Sequence, residues 1–250
     1  MALFRKKAPE LTLESLPREA YPAHIGFIMD GNGRWAKKRG LPRRMGHVSG
    51  AQTFRKIVKA CEARGIQSAT FYAFSTENWK RPQEEVDAIM DLLRDYLKES
   101  LKDFKGENIR TKFIGDRSAL APDIVALMEE AEAETAHKTG LTLNIALNYG
   151  GRHELVGAIR MLAEQVKDGT LLAEQIDEQR VSDTLDTVGQ PDPDLIIRPS
   201  GEYRTSNFLL WQSAYAEYVF MDVLWPDFSA EHLDRAILEY ARRHRRFGGV

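Results

Sequence analysis

The fold is decided by residues 24–35, HIGFIMDGNGRW. A short apolar run ends there in a carboxylate, a glycine-rich turn and an arginine, which is typical of a buried parallel strand leading into a helix. Ligands of open α/β sheets bind beyond the carboxyl ends of such strands, so we expect Asp30 at the edge of a ligand site. Gly31 and Gly33 would let backbone amides approach that ligand closely.

The same glycines match the dinucleotide-binding pattern G-x-G-x-x-G/A, so a nucleotide-binding oxidoreductase is the alternative from another enzyme class. That fingerprint places an acidic residue about 20 positions further on, at the end of the next strand. Here the next strand-like run, residues 69–74, comes much later. Asp30 would also repel a pyrophosphate unless a cation lay between them. A diphosphate bridged by Mg²⁺ suits this turn better.

Outward from this stretch, short apolar runs alternate with helical patterns, which predicts a mostly parallel sheet with right-handed crossovers. The five later strands are predicted at residues 69–74, 109–114, 141–147, 195–197 and 218–223. We therefore expect an α/β fold, in which residues 21–250 form a single domain with a six-stranded sheet flanked by helices. Residues 1–20 are predicted to be a loose leader with at most one helical turn. An apolar stripe in the helix after Pro82 is either core or the wall of an apolar channel.

Composition narrows the classes of function. The chain has 250 residues, of which 43% are hydrophobic and 29% charged, as in an ordinary globular protein. Its net charge of −2 argues against nucleic acid as a partner, since such proteins present a broad basic surface. The one cysteine, Cys61, falls in a helical pattern and excludes an intrachain disulfide framework. No apolar run could span a bilayer, and we expect a cytoplasmic protein with any membrane contact peripheral.

The loops that follow the predicted strands are rich in arginine, glycine and carboxylates, and they lack an activated nucleophile. Arg198, Arg204 and Ser206 follow one strand, where forked guanidinium groups could hold phosphate oxygens. Asp30 and Glu217 are carboxylates that could hold a divalent cation. The histidines lack the spacing of a zinc site. The sequence thus predicts an enzyme that positions phosphorylated substrates with Mg²⁺ and arginines.

Five sequence blocks resemble the cis-prenyltransferases, the family of bacterial undecaprenyl diphosphate synthase. They are residues 24–36, 71–79, 143–152, 197–202 with 206–211, and the tail at 246–248. The resemblance implies Mg²⁺-dependent condensation of isopentenyl diphosphate with farnesyl diphosphate, repeated with cis geometry. The expected product is undecaprenyl diphosphate, the lipid carrier precursor for cell-wall synthesis, with a different chain length as the alternative. It also implies a homodimer, and contact with the inner face of the membrane through the product.

The resemblance assigns a role to each matching position. It implies that catalysis depends on Asp30 and Asn78 and that the metal is held by Asp30 and Glu217. The allylic diphosphate would be bound by Gly31, Asn32, Gly33, Arg34, Trp35, Arg43 and His47. The mobile loop that closes on substrate would contain Ser75, Thr76, Glu77, Trp79 and Arg81. Isopentenyl diphosphate would be bound by Arg198, Arg204, Thr205 and Ser206, and by Arg246 in a tail that reaches the partner's site.

Three points refine this assignment. Asn78 is a neutral amide and a poor base, so we expect it to orient a water or a diphosphate oxygen that takes the proton. Tyr203 replaces a histidine that some relatives carry near the metal, and a phenol is a poor Mg²⁺ ligand at neutral pH. Leu141 falls near the floor of the channel in the family but is equally well explained as a core leucine.

A non-catalytic scaffold that binds polyprenyl or anionic lipid is the third hypothesis, since inactive relatives pair with a catalytic partner. The combined presence of Asp30, Asn78, Arg198, Arg204 and Glu217 argues against it.

Overall fold

The computed structural model describes residues 12–103 and 106–243. At its centre is a six-stranded sheet, and every pair of neighbouring strands in it is parallel. The strands are β1 (His24–Ile28), β2 (Ser68–Ser75), β3 (Ile109–Ile114), β4 (Leu141–Tyr149), β5 (Leu195–Arg198) and β6 (Glu217–Phe220). Their order across the sheet is β3-β4-β2-β1-β5-β6. The predicted α/β class and parallel sheet are confirmed.

Seven α-helices connect and cover the described strands. They are α1 (Asn32–Lys38), α2 (Arg43–Ala63), α3 (Gln83–Asp103), α4 (Pro122–Thr135), α5 (Gly151–Lys167), α6 (Glu178–Ser182) and α7 (Ala230–Arg242). Pro122 begins α4 because a proline's missing N–H costs nothing in the first helical turn. Gly65, with φ of +60°, turns the chain after α2 into β2. Among the described residues, no helix combines the length and the apolar character needed to cross a bilayer.

The main core lies on the face of the sheet covered by α2, α3 and α7. Phe27 and Phe71 stack with their ring centroids 4.5 Å apart, and Phe54 meets Phe71 edge-on at 4.7 Å. Trp225 closes this cluster and donates its indole N–H to the Gly50 carbonyl at 2.9 Å. Such aromatic pairs each contribute about 1 kcal/mol beyond the area they bury. These contacts make the central strands a rigid support for the loops at their ends.

The amino ends of the central strands carry a buried polar network. His24 Nδ1 lies 2.7 Å from the Pro191 carbonyl, and His24 Nε2 lies 2.7 Å from the hydroxyl of Thr70. Asn144 donates to Thr70 at 3.0 Å and exchanges two hydrogen bonds with Gln190. Burial lowers the pKa of His24 to about 4, so its ring is neutral at pH 7.

Strands β2, β4 and β5 extend one or two residues beyond their predicted bounds, and larger differences occur in residues 12–20 and in the last strand. Residues 12–20 contain two 3₁₀ turns instead of at most one, and Leu13 and Leu16 pack against the core. The rest of the predicted leader, residues 1–11, lies outside the described residues. The last strand spans Glu217–Phe220 instead of residues 218–223. Cys61 is fully buried in α2, where burial raises the pKa of its thiol to about 12, in agreement with the prediction of a helical, unreactive cysteine.

Candidate active site

The carboxyl ends of β1, β2, β4 and β5 open into a cavity of about 820 Å³. Its inner wall is apolar and comes from α2, α3 and β4, with Phe54, Met90, Leu93, Tyr96 and Leu147. Its outer part is polar and contains many of the residues singled out in the sequence: Asp30, Gly31, Asn32, Gly33, Arg34, Arg43, His47, Ser75, Glu77, Asn78, Arg81, Arg198, Arg204 and Ser206. The cavity is therefore amphiphilic, with charge at one end and hydrocarbon-like surface at the other.

Asp30 lies two residues beyond β1, where the chain leaves the sheet. Its Oδ2 accepts a hydrogen bond from Arg198 Nη2 at 3.0 Å and lies 3.3 Å from Arg34 Nη2. Burial alone would raise the pKa of the Asp30 carboxyl, but the hydrogen bond from Arg198 and the two positive charges outweigh it and hold this pKa below its ordinary value. Asp30 is an ionised carboxylate at neutral pH, as a metal ligand must be.

Arg198 is the last residue of β5 and Arg204 lies in the loop that follows, and their side chains differ in how firmly they are held. The Arg198 side chain is only 4% exposed, and its Nη1 donates to Ser206 Oγ at 2.8 Å and to the Arg204 carbonyl. The Arg204 side chain is 61% exposed and pairs with Glu202. Arg198 is thus fixed by the fold, whereas Arg204 can turn towards a ligand.

Glu85 is a site residue that the sequence analysis missed. Its Oε1 lies 2.7 Å from Arg81 Nη1, 3.0 Å from Arg43 Nε and 3.7 Å from His47 Nε2. It thereby joins the loop before α3 to the first turns of α2. Burial is the main reason why the pKa of His47 is lowered, with the charges of Arg81 and Arg43 acting in the same direction. Acidic residues are common in the first turn of a helix, where they complement the helix dipole. The sequence position of Glu85 therefore did not indicate a role in the site.

Three buried polar atoms on residues that line the cavity have no hydrogen-bond partner among the described residues. They are Asn32 Oδ1, His47 Nε2 and Arg198 Nε. Buried polar groups are paired in the great majority of cases, and each exception needs an explanation. Their clustering around one cavity indicates that a polar ligand completes them.

The loop after β2 forms a 3₁₀ helix, Thr76–Lys80. Asn78 Oδ1 accepts from the Ser75 backbone N–H at 3.1 Å, and Glu77 accepts from the Asn207 amide at 2.9 Å. Trp79 packs on Phe74 and donates its indole N–H to Asn148 Oδ1 at 2.7 Å. Asn78 and Glu77 line the cavity, whereas Trp79 supports the loop from behind.

Backbone strain concentrates in the same region. Five non-glycine residues in the described chain have positive φ: Asn148 near the end of β4, and Ser200, Ser206, Asn207 and Leu209 after β5. Such conformations cost about 1–3 kcal/mol each and persist where the surrounding structure fixes them. This strain was not readable from residue types, since only two of the five are asparagine.

Several predicted site residues lie elsewhere. Trp35 donates its indole N–H to Asp227 at 2.7 Å, and Arg39 stacks on the ring 4.2 Å from its centroid. Thr76, Trp79 and Thr205 do not belong to the described lining of the cavity. Arg246 lies outside the described residues. Tyr203 is exposed and packs on Phe220.

The structure does not bring Glu217 to Asp30, which corrects the predicted metal pair. Glu217 begins β6 and lies level with Leu195, whereas Arg198, the partner of Asp30, lies level with Phe220. Three residues of strand separate these levels by about 10 Å. Glu217 is instead 2.7 Å from Arg243 Nη1. β6 begins one residue earlier than predicted, but with either start Glu217 lies at the amino end of this strand, away from the carboxyl ends at which Asp30 lies.

Leu141 is likewise remote from the cavity. It begins β4 next to Ile109, is buried in the main core, and lies four residues before Ile145, where the described lining on this strand begins. The core explanation of Leu141 therefore fits this structure better than a channel floor.

Comparison with known proteins gives consistent results. A family described as undecaprenyl diphosphate synthase matches residues 28–248. The isoprenyl transferase of Rhizobium meliloti is 53% identical over 229 residues, covering 92% of this chain and 93% of that protein. The isoprenyl transferase of Bacillus subtilis is 49% identical, with 96% and 92% covered.

Two solved structures share the fold. Lavandulyl diphosphate synthase from Lavandula x intermedia, in complex with dimethylallyl diphosphate, has a TM-score of 0.90 at 35% identity and covers 92% of this chain and 100% of its own. A probable undecaprenyl diphosphate synthase from Campylobacter jejuni has a TM-score of 0.75 at 34% identity, with 91% and 99% covered.

Proposed function

Since the chain belongs to the undecaprenyl diphosphate synthase family of cis-prenyltransferases, and is thus a prenyl-transferring enzyme, we propose that it elongates farnesyl diphosphate with isopentenyl diphosphate in a Mg²⁺-dependent, cis-selective reaction. The product proposed is undecaprenyl diphosphate. The observation that carries this proposal is the amphiphilic cavity, in which the Asp30–Arg198 pair faces one end and Phe54, Leu93 and Tyr96 wall the other. A substrate with a diphosphate head and an isoprenoid tail matches both ends.

The residues present fit Mg²⁺. No group of three potential metal ligands occurs among the described residues, so this is not an all-protein cage. Mg²⁺ is ordinarily held by one or two carboxylates together with substrate phosphates. Asp30, ionised and next to the glycine turn, would be the protein's ligand in such an arrangement. When bound, the ion neutralises charge on the diphosphates.

The protein's side chains would contribute by positioning the two diphosphate substrates. Arg34 and Arg43 would hold the allylic diphosphate and stabilise the charge that grows on it as it leaves. Arg198 and Ser206 would hold isopentenyl diphosphate beside it. Asn78 already accepts a hydrogen bond at Oδ1, so its amide nitrogen would orient a diphosphate oxygen or water that takes the proton.

The decisive experiment incubates the full chain with farnesyl diphosphate, labelled isopentenyl diphosphate and Mg²⁺ and separates the products by chromatography. We expect a ladder of polyprenyl diphosphates that ends at undecaprenyl and is abolished by EDTA. A ladder with a different end would correct only the product length. No extension of the primer, with a folded protein, would overturn the proposal.

The second proposal is a homodimer. The exposed side of α5 carries the apolar residues Val156 and Ile159, which are one turn apart on the same face, and Ile159 is 63% exposed. Large apolar groups gathered on one exposed helix face are typical of a protein interface. We expect a second copy to cover them, and the Ile159→Asp variant to sediment as a monomer at concentrations where the unchanged chain is a dimer.

The tail at 244–250, outside the described residues, would reach the neighbouring site in such a dimer. Deleting residues 245–250 should raise the KM for isopentenyl diphosphate and leave the melting temperature unchanged. Full activity in a monomer, measured by sedimentation and kinetics at matched concentrations, would exclude this arrangement.

A further inference from the structure

The connection between α1 and α2 is a protruding corner. All nine residues from 37 to 45, KKRGLPRRM, are exposed. Gly40 makes the turn with φ of +65°, and no atom lies within 4 Å of the position its Cβ would take. The corner is nevertheless well defined, because the Leu41 N–H donates to the Ala36 carbonyl at 3.0 Å and Pro42 fixes the entry to α2. We refer to residues 37–45 as the basic corner.

The charge of this region is one-sided. Residues 31–61 contain nine lysines and arginines and no aspartate or glutamate, although the whole chain has a net charge of −2. Five of the nine belong to the basic corner. Arg39 pairs with Asp227 and Arg43 with Glu85. Lys37, Lys38 and Arg44 form no ion pair with any described residue. Their charge is therefore directed to solvent or to something that docks there.

Two large apolar side chains lie among these charges. Leu41 is 40% exposed and Met45 is 44% exposed, with Arg43 and Arg44 between them. An exposed leucine and methionine inside a lysine- and arginine-rich segment resemble the composition of segments that lie in the headgroup region of a bilayer. Lys37 and Arg43 also line the cavity, so the basic corner forms part of its rim.

We propose that the basic corner docks the protein on an anionic lipid bilayer. Lys38 and Arg44 contact lipid phosphates, and Leu41 and Met45 enter the boundary between headgroups and acyl chains. Nucleic acid fits less well, because its phosphates would satisfy the charges but leave both apolar side chains in water. Docking would place the rim of the cavity against a medium in which a polyprenyl tail dissolves. This consequence rests on the proposed function, but docking itself does not.

The test uses the full chain without substrates and vesicles of phosphatidylcholine alone or with phosphatidylglycerol. We expect co-sedimentation with the anionic vesicles only, weakened by salt. The Lys38→Gln/Arg44→Gln variant should lose at least about tenfold in affinity, since each basic side chain near an anionic surface contributes roughly fivefold. Leu41→Ser/Met45→Ser should also weaken binding.

Matched controls remove equal charge and a comparable apolar surface elsewhere: Arg110→Gln/Arg180→Gln and Leu172→Ser/Ile176→Ser, all at exposed positions. Both should bind like the unchanged chain. Prenyl transfer with soluble substrates should stay normal in every variant, so loss of vesicle binding and failure of the proposed function are distinguishable. The proposal is overturned if anionic vesicles are not bound, if the corner variants bind like the controls, or if single-stranded DNA is bound equally well without dependence on Leu41 and Met45.

Discussion

The two ends of the central sheet both hold buried polar groups, but they differ in how completely those groups are paired. At the amino end, every polar side-chain atom of His24, Thr70, Asn144 and Gln190 has a partner within the network or in the Pro191 carbonyl. At the carboxyl end, three buried atoms on residues that line the cavity have no hydrogen-bond partner among the described residues.

This difference separates stability from function. A fully paired network stabilises the fold, and breaking it leaves partners unsatisfied at about 1–3 kcal/mol each. An incompletely paired site gains its remaining partners only from a ligand. Changes at the amino end should therefore lower stability and spare the chemistry, whereas changes at the carboxyl end should do the reverse.

The largest effect is expected from Asp30→Ala at the carboxyl end. Loss of this carboxylate should lower turnover on the order of 10³-fold, because the charge that organises Mg²⁺ and the diphosphates is removed. The circular dichroism spectrum and melting temperature should be nearly unchanged. Asp95→Ala, at an exposed position of α3, is the matched control and should be fully active. Near-normal turnover of Asp30→Ala at saturating Mg²⁺ would contradict the assignment.

Two variants in β4 compare the amino and carboxyl ends of the sheet within one strand. Leu141→Ala at its amino end should cost about 2–5 kcal/mol of stability and leave the product ladder unchanged. Leu147→Ala near its carboxyl end should enlarge the apolar part of the cavity and change the lengths of the polyprenyl products. The melting temperature of each variant measures the effect on stability, and chromatography of its products measures the effect on chain length. Longer products from Leu141→Ala would restore that residue as the channel floor.

The next effect concerns pH and the amino end. The pKa of His24 is about 4 in the fold against 6.5 in an unfolded chain. Below pH 6.5 the unfolded state takes up a proton that the folded state resists, so stability falls with decreasing pH until about pH 4. The loss sums to about 3 kcal/mol. Urea unfolding at several pH values should show this slope, and His24→Gln should lack it.

His153→Gln is the control for this measurement, because His153 is exposed. Its unfolding curve should keep the full pH dependence. An equal slope in all three proteins would mean that other groups cause it.

The smallest effect compares two arginines within the carboxyl end. Arg198→Lys should raise the KM for isopentenyl diphosphate roughly tenfold to fiftyfold, because lysine cannot replace a buried guanidinium that bonds Asp30 and Ser206 together. Arg204→Lys should raise it less than tenfold, since this side chain is exposed. The KM for farnesyl diphosphate should change less in both. Equal changes for both substrates would refute the proposed division of sites.

Much of the fold was predictable because each strand is a short apolar run that ends in polar or glycine-rich residues. The third strand has the predicted bounds, residues 109–114. The proximity of Asp30 and Arg198 was also predictable, because the carboxyl ends of parallel strands lie at the same edge of a sheet.

The predictions of site residues that failed depended on strand position in the sheet and on contacts between residues that are distant in sequence. Glu217 was assigned to the metal by resemblance, but a residue at the start of a parallel strand lies at the amino end of the sheet, away from Asp30. Trp35 was assigned to the ligand by resemblance, but its indole N–H is satisfied by Asp227, which no local pattern reveals. Glu85 was missed because Arg43, His47 and Arg81 converge on it only in the folded chain.

The position of β1 between β2 and β5 has a consequence for the synthesis of the chain. Asp30 obtains its Arg198 partner from 168 residues later. A nascent chain therefore carries its allylic-side residues long before it can complete the site, and no fragment that ends before Arg198 can be active. Until β5 emerges, one edge of β1 remains an open template for pairing with other chains. Chains released early are thus candidates for aggregation and for capture by chaperones.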